Sequence, residues 1–124
     1  RRVLFRSPAW NPPPWVFGPV WTALYLMMGL AAGRVWRRGG LRANREALGV
    51  FVVQLLLNGA WSWLFFGLRS PGLAFLDIVL LWMAIGVTVR LFRRHDRVAA
   101  GLLIPYWLWV SFATVLNGVL WRMN

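Results

Sequence analysis

Residues Trp10–Tyr25 read WNPPPWVFGPVWTALY. The prolines Pro12, Pro13 and Pro14 disfavour helix and favour an extended segment. An apolar run follows at once, with aromatics at Trp15, Phe17, Trp21 and Tyr25. A stiff, tryptophan-flanked loop over 7–15 that feeds a membrane-length helix predicts the lid and wall of a site for a large flat apolar molecule.

The rest of the chain supplies the setting for that stretch. The 124 residues are 60% hydrophobic and include 10 Trp, and the mean hydropathy is +0.59. A soluble domain of this size cannot bury so much apolar surface. The 14 basic residues are all Arg, against Glu46, Asp77 and Asp96, for a net charge of +11. The arginines stand in short runs between apolar spans, which reads as membrane flanking and argues against a nucleic-acid partner. There is no Cys, hence no disulfide or thiol chemistry. No short apolar stretch with a small-residue cleavage site precedes the first span, so no cleavable signal peptide is expected.

Four stretches reach the roughly 20 apolar residues that a bilayer crossing needs: about 16–36, 47–68, 72–90 and 98–121. The expected fold is therefore all-α, a single integral-membrane domain over 1–124 with four transmembrane helices. Short connections at Arg37–Glu46, Arg69–Pro71 and Leu91–Arg97 make successive helices antiparallel neighbours. Arg34, Arg37, Arg38, Arg42, Arg45, Arg90, Arg93, Arg94 and Arg97 fall on one side. Arg1, Arg2, Arg6, Arg69 and Arg122 fall on the other. The positive-inside rule puts the richer side in the cytoplasm and the proline-rich segment outside.

Polar groups in lipid are costly and face a bundle interior. Asn58 and Ser62 are four apart and share a face, beside Trp61 and Phe65. Ala113 and Asn117 repeat that spacing after Trp109, as do Trp21, Tyr25 and Gly29. These faces can line an aromatic cavity with two amides. Alternatively, the amides bond each other or a carbonyl and only join helices; the residues by themselves leave both readings open. Asp77 lies one turn into the third span. There it can pair with an arginine such as Arg69, meet a cationic group or carry a proton. Gly29-Leu-Ala-Ala-Gly33 is a GxxxG motif, suited to close helix approach within the chain or to dimerisation. Pro105 should kink the fourth span. His95, the only histidine, reads as a solvated loop residue. No carboxylate pair, Ser/His/Asp set, phosphate loop or metal-spaced cluster supports conventional catalysis.

Four stretches, PAWNPPPWVFGPVWTALYLMMGLAAGRVW, QLLLNGAWSWLFFG, PGLAFLDIVLLW and LLIPYWLWVSFATVLNGVLWRMN, resemble in order the TspO/MBR family, the tryptophan-rich sensory and translocator proteins. The resemblance implies a five-helix membrane bundle, often a homodimer, that takes porphyrins and isoquinoline or benzodiazepine drugs. The ligand would be a porphyrin such as protoporphyrin IX or haem, with no cofactor required. The implied roles are sensing, transport or disposal of tetrapyrroles in a multi-pass protein of a bacterial cell membrane. Some members of the family are reported to break porphyrins down. Carried over by position, the pocket would use Trp10 and Pro12 in the loop, then Trp21 and Tyr25. It would add Asn58 and Trp61, then Asp77, Ile78 and Leu81, and finally Ala113 and Asn117. The family's first helix has no counterpart, since Arg1–Ser7 corresponds to the loop after it. Animal members bind cholesterol through a C-terminal motif, but VLNGVLWR has Gly118 and Val119 where its tyrosine would stand, so sterol binding is not expected.

Overall fold

A computed structural model describes residues 14–40 and 44–123 of the chain. Helix α1 spans Pro14–Arg37, α2 Arg45–Ser62, α3 Pro71–His95 and α4 Arg97–Met123. A π-helical turn, Trp63–Gly67, extends α2. No strand occurs among the described residues.

Each helix turns one stripe inward at the spacing of an α-helix. On α1 the stripe is Leu24, Met28, Ala31 and Val35, and on α3 it is Ala74, Ile78, Leu81, Ile85 and Phe92. The opposite faces are apolar too: Leu26, Leu30, Leu56, Leu76 and Leu108 are all exposed. Helices that are hydrophobic all round belong in lipid, which accepts the outer leucines while each helix satisfies its own backbone. Arg45–Phe65, Gly72–His95 and Arg97–Met123 are long and apolar enough to cross a membrane. Helix α3 packs extensively on both α2 and α4, while α1 packs chiefly on α4 and only lightly on α2. Close approach of α3 and α4 depends on Gly86, where an added Cβ would lie 3.0 Å from the Trp107 ring.

The element boundaries differ from expectation in two places. Helix α1 starts at Pro14, inside the expected loop 7–15, because a proline at the first helical position lacks only an N–H that would have no partner there anyway. Helix α3 runs to His95 rather than 90. Arg93, Arg94 and His95 fill its last turn, where cations meet the negative end of the helix dipole. The expected connection Leu91–Arg97 thus shrinks to Asp96. Helix α4 continues unbroken through Pro105.

Asp96 does three things at that corner. Its backbone N–H closes α3 on the Phe92 carbonyl at 2.7 Å. Its Oδ1 accepts from the N–H groups of Val98 (2.9 Å) and Ala99 (3.2 Å), capping α4. Its Oδ2 pairs with Arg34 Nε at 3.0 Å and Arg38 Nε at 3.5 Å, tying in the end of α1. Burial pushes the carboxyl pKa up. The Ala99 N–H, the Arg34 guanidinium and the Val98 N–H push it down and prevail, so it lies below the usual carboxylate range. Beside it, Asn44 donates to the carbonyls of Val35 (3.0 Å) and Gly40 (2.8 Å) and closes α1. The chain turns there through Gly39 and Gly40, at φ 119° and 69°.

This antiparallel arrangement gathers Arg34, Arg37, Arg38, Arg45, Arg90, Arg93, Arg94 and Arg97 at one end. The start of α1, the end of α2, the start of α3 and the end of α4 meet at the other.

Candidate functional site

A cleft of about 360 Å³ opens at that second end, between α1, α2 and α4. Helix α4 contributes Trp109, Phe112, Ala113, Leu116, Asn117 and Leu120, successive positions of one helical face. Trp61, Ser62 and Phe65 come from α2 and its π-helical turn, and Trp21 comes from α1. The π geometry is carried by Leu68 N–H donating to the Trp63 carbonyl at 2.9 Å. Phe65 lies beside Trp61, with ring centroids 5.2 Å apart and planes at 18°. Trp21 meets Trp109 edge-on at 6.5 Å, and Trp109 lies 5.6 Å from Phe112. The walls are thus aromatic, Ala113 leaves space between them, and among the described residues no lining side chain carries a charge.

Interhelical hydrogen bonds fix the walls. Trp61 Nε1 donates to Asn117 Oδ1 at 2.8 Å, which sets the indole plane of one wall from the other. Behind Trp21 lies a polar chain. Tyr25 Oη donates to Asn58 Oδ1 (3.3 Å), Asn58 Nδ2 donates to Tyr106 Oη (2.8 Å), and Tyr106 Oη donates to Gln54 Oε1 (2.5 Å). It joins α1, α2 and α4 around Tyr106, which is fully buried. The Tyr106 ring also meets Trp21 edge-on at 6.4 Å.

The expected site residues separate into three groups. Trp21, Trp61, Ala113 and Asn117 line the cleft. Tyr25 and Asn58 stand behind it: Tyr25 sits 5.6 Å from the Trp21 ring, and the Asn58 amide is spent on Tyr25 and Tyr106. The Asn58 hydrogen bonds join helices, through tyrosine hydroxyls and not through another amide or a carbonyl, and Asn58 is not in the lining. Asp77, Ile78 and Leu81 are in the core of α3, away from the lining. Trp10 and Pro12 lie outside the described residues. Ser62, Phe65, Trp109, Phe112, Leu116 and Leu120 also line the cleft. Extending the Ala113/Asn117 face by three- and four-residue steps in both directions finds every α4 member of that set.

Pairing of Asp77 with Arg69 is corrected too. Among the described residues the ion pairs join Asp96 to Arg34 and Arg38. Asp77 is 8% exposed on the inward side of α3, and its Oδ2 has no hydrogen-bond partner. Arg69 is exposed in the link before α3, with φ 53°. His95 is at the end of α3 remote from the cleft, so it cannot ligate a metal held there. Among the described residues no group of three or more His, Cys, Asp or Glu side chains could hold a metal ion. Gly29 and Gly33 have nothing within 4 Å of an added Cβ, so the GxxxG motif does not serve packing among the described residues.

These features define a class: an integral-membrane helical bundle with an uncharged, tryptophan-walled cleft at one end. The TspO/MBR family profile matches residues 4–122. The "Tryptophan-rich protein TspO" of Chlorobaculum tepidum is 47% identical over 120 residues, covering 95% of this chain and 75% of that protein. The "Translocator protein" of Homo sapiens is 41% identical over 121 residues, 96% of this chain and 72% of that one. The "Tryptophan-rich sensory protein" of Cereibacter sphaeroides is 38% identical over 118 residues, 95% and 73%. The chain belongs to the TspO/MBR family.

Proposed function

We propose that this protein is a membrane receptor that binds a porphyrin-like tetrapyrrole in the cleft between α1, α2 and α4. The observation that carries the reading is the lining itself: three tryptophans and two phenylalanines around about 360 Å³, with Ala113 between them. Aromatic faces at these separations favour a flat π-system. The volume falls within the range of about 300–1,000 Å³ typical of small-molecule pockets. The names of relatives, which include "Tryptophan-rich sensory protein", fit a sensing role. No catalytic role is assigned to any residue.

Protoporphyrin IX titrated into the detergent-solubilised chain, followed by tryptophan quenching, tests this. Saturable quenching in the parent that weakens in Trp21→Ala and is lost in Ala113→Leu, which fills the cleft, supports the proposal. Equal binding by all three removes it.

A second reading, movement of the ligand across the membrane, draws on one observation: the buried Asp77 Oδ2 without a partner. A carboxyl group in a membrane span is expensive and suggests a functional role. Proteoliposome flux that is lost in Asp77→Asn favours transport, and absence of flux in the parent excludes it.

A further inference from the structure

We infer that the arginine-rich end of the bundle is an interaction surface for anionic phospholipid, whose headgroup phosphates are engaged by arginines from all four helices. This surface is at the opposite end of the bundle from the cleft and does not depend on what the cleft binds.

Charge complementarity carries it. Asp96 engages Arg34 and Arg38. Arg37, Arg45, Arg90, Arg93, Arg94 and Arg97 stand around that pair, all exposed. The whole sequence holds three acidic side chains, Glu46, Asp77 and Asp96. Asp77 is buried near the start of α3, at the other end, so Glu46 is the one further carboxylate available to the six. Residues 1–13 and 41–43 bring Arg1, Arg2, Arg6 and Arg42 and no acid, so they cannot supply the missing negative charge. The helix dipole accounts for only part of the pattern. Arg37, Arg93 and Arg94 are in the last turns of α1 and α3, where a cation is favoured. Arg45 and Arg97 are the first residues of α2 and α4, where the dipole repels a cation. Arg90 and Arg94 are like charges four apart on one helix. An external anion relieves both repulsions.

Helix length sets these side chains at the depth of lipid phosphates. Gly72–His95 has 24 residues and spans about 36 Å, slightly more than a hydrocarbon core of about 30 Å. Trp36, exposed beside Arg37, has the side chain favoured at the membrane interface. A guanidinium there meets phosphate oxygens in a two-pronged fork. Each arginine near an anionic surface strengthens binding about fivefold.

The test reconstitutes the chain in phosphatidylcholine bilayers with spin-labelled phosphatidylglycerol or spin-labelled phosphatidylcholine. Electron paramagnetic resonance reads the lipid held against the protein. Fivefold selection in one leaflet, averaged with none in the other, gives an expected preference for phosphatidylglycerol of about threefold. The preference should disappear in the variant carrying Arg37→Gln, Arg93→Gln, Arg94→Gln and Arg97→Gln, and persist when Arg69→Gln and Arg122→Gln remove charge at the cleft end. Should the fourfold variant fail to fold by circular dichroism, Arg93→Gln with Arg94→Gln must lower the preference instead. A parent ratio below about twofold, one unchanged by these substitutions, or one lost equally with Arg69 and Arg122 overturns the inference. Loss of the preference in millimolar inorganic phosphate at constant ionic strength assigns the arginines to a soluble anion and overturns it as well.

Discussion

Replacing Tyr106 by Phe removes one oxygen from the centre of the bundle and leaves the ring in place. That oxygen accepts from Asn58 Nδ2 at 2.8 Å and donates to Gln54 Oε1 at 2.5 Å. All three residues are at most 3% exposed, so water cannot replace either bond. Interhelical hydrogen bonds within membranes average about 0.6 kcal/mol and reach about 1.7 kcal/mol. Losing two therefore costs about 1–3 kcal/mol. Reversible unfolding in mixed micelles, read by tryptophan fluorescence, measures it. Gln54→Leu on the same background removes one stranded acceptor, and part of the loss should return, because deleting both partners costs less than deleting one. Protoporphyrin binding should change little, since Tyr106 does not line the cleft and its edge contact with Trp21 is retained. An unfolding free energy within about 0.3 kcal/mol of the parent, the usual additivity error, would refute the chain of bonds as a structural element. A large binding loss at unchanged stability would instead place Tyr106 in the ligand site.

Three further outcomes follow from the same geometry. The Asp96 carboxyl is depressed below its ordinary value of about 3.9. Its stabilisation is therefore full above that value and is lost as pH falls through the lower folded value; Asp96→Asn should flatten the parent's loss of stability below about pH 4. Gly86→Leu drives a side chain into the Trp107 ring, 3.0 Å from the first added carbon, and should cost about 1–3 kcal/mol as overpacking in the same unfolding assay. The open GxxxG face of α1 is the proposed contact between two copies of the chain. Gly29→Leu or Gly33→Leu should shift the elution of a dimer to that of a monomer, and unchanged elution with an intact circular-dichroism spectrum would end that assignment.

Much of the fold was legible before the structure. Helical periodicity around apolar spans located all four helices to within a few residues, because a bilayer demands continuous helix and leaves little choice of length. The misjudged ends were Pro14, which starts a helix more readily than it blocks one, and Arg90–His95, which the helix dipole recruits into α3. The candidate site was legible only in part. Trp21, Trp61, Ala113 and Asn117 line the cleft, whereas Asn58, with the same residue type and spacing as Asn117, is spent on Tyr25 and Tyr106.

The sequence by itself determined the membrane setting, the helices, the end that carries most of the arginines and the face that each helix can present. Spacing along a helix decides which side chains are neighbours on that helix, since every residue advances the face by about 100°. It does not decide how far each helix is rotated against the next. That rotation is set by contacts between helices: Gly86 beneath Trp107, Asp96 holding Arg34, Tyr106 between Asn58 and Gln54. Only the packed bundle therefore decided that Asn117 faces the cleft, that Asn58 bonds across helices without lining it, and that Asp77 is buried outside the lining.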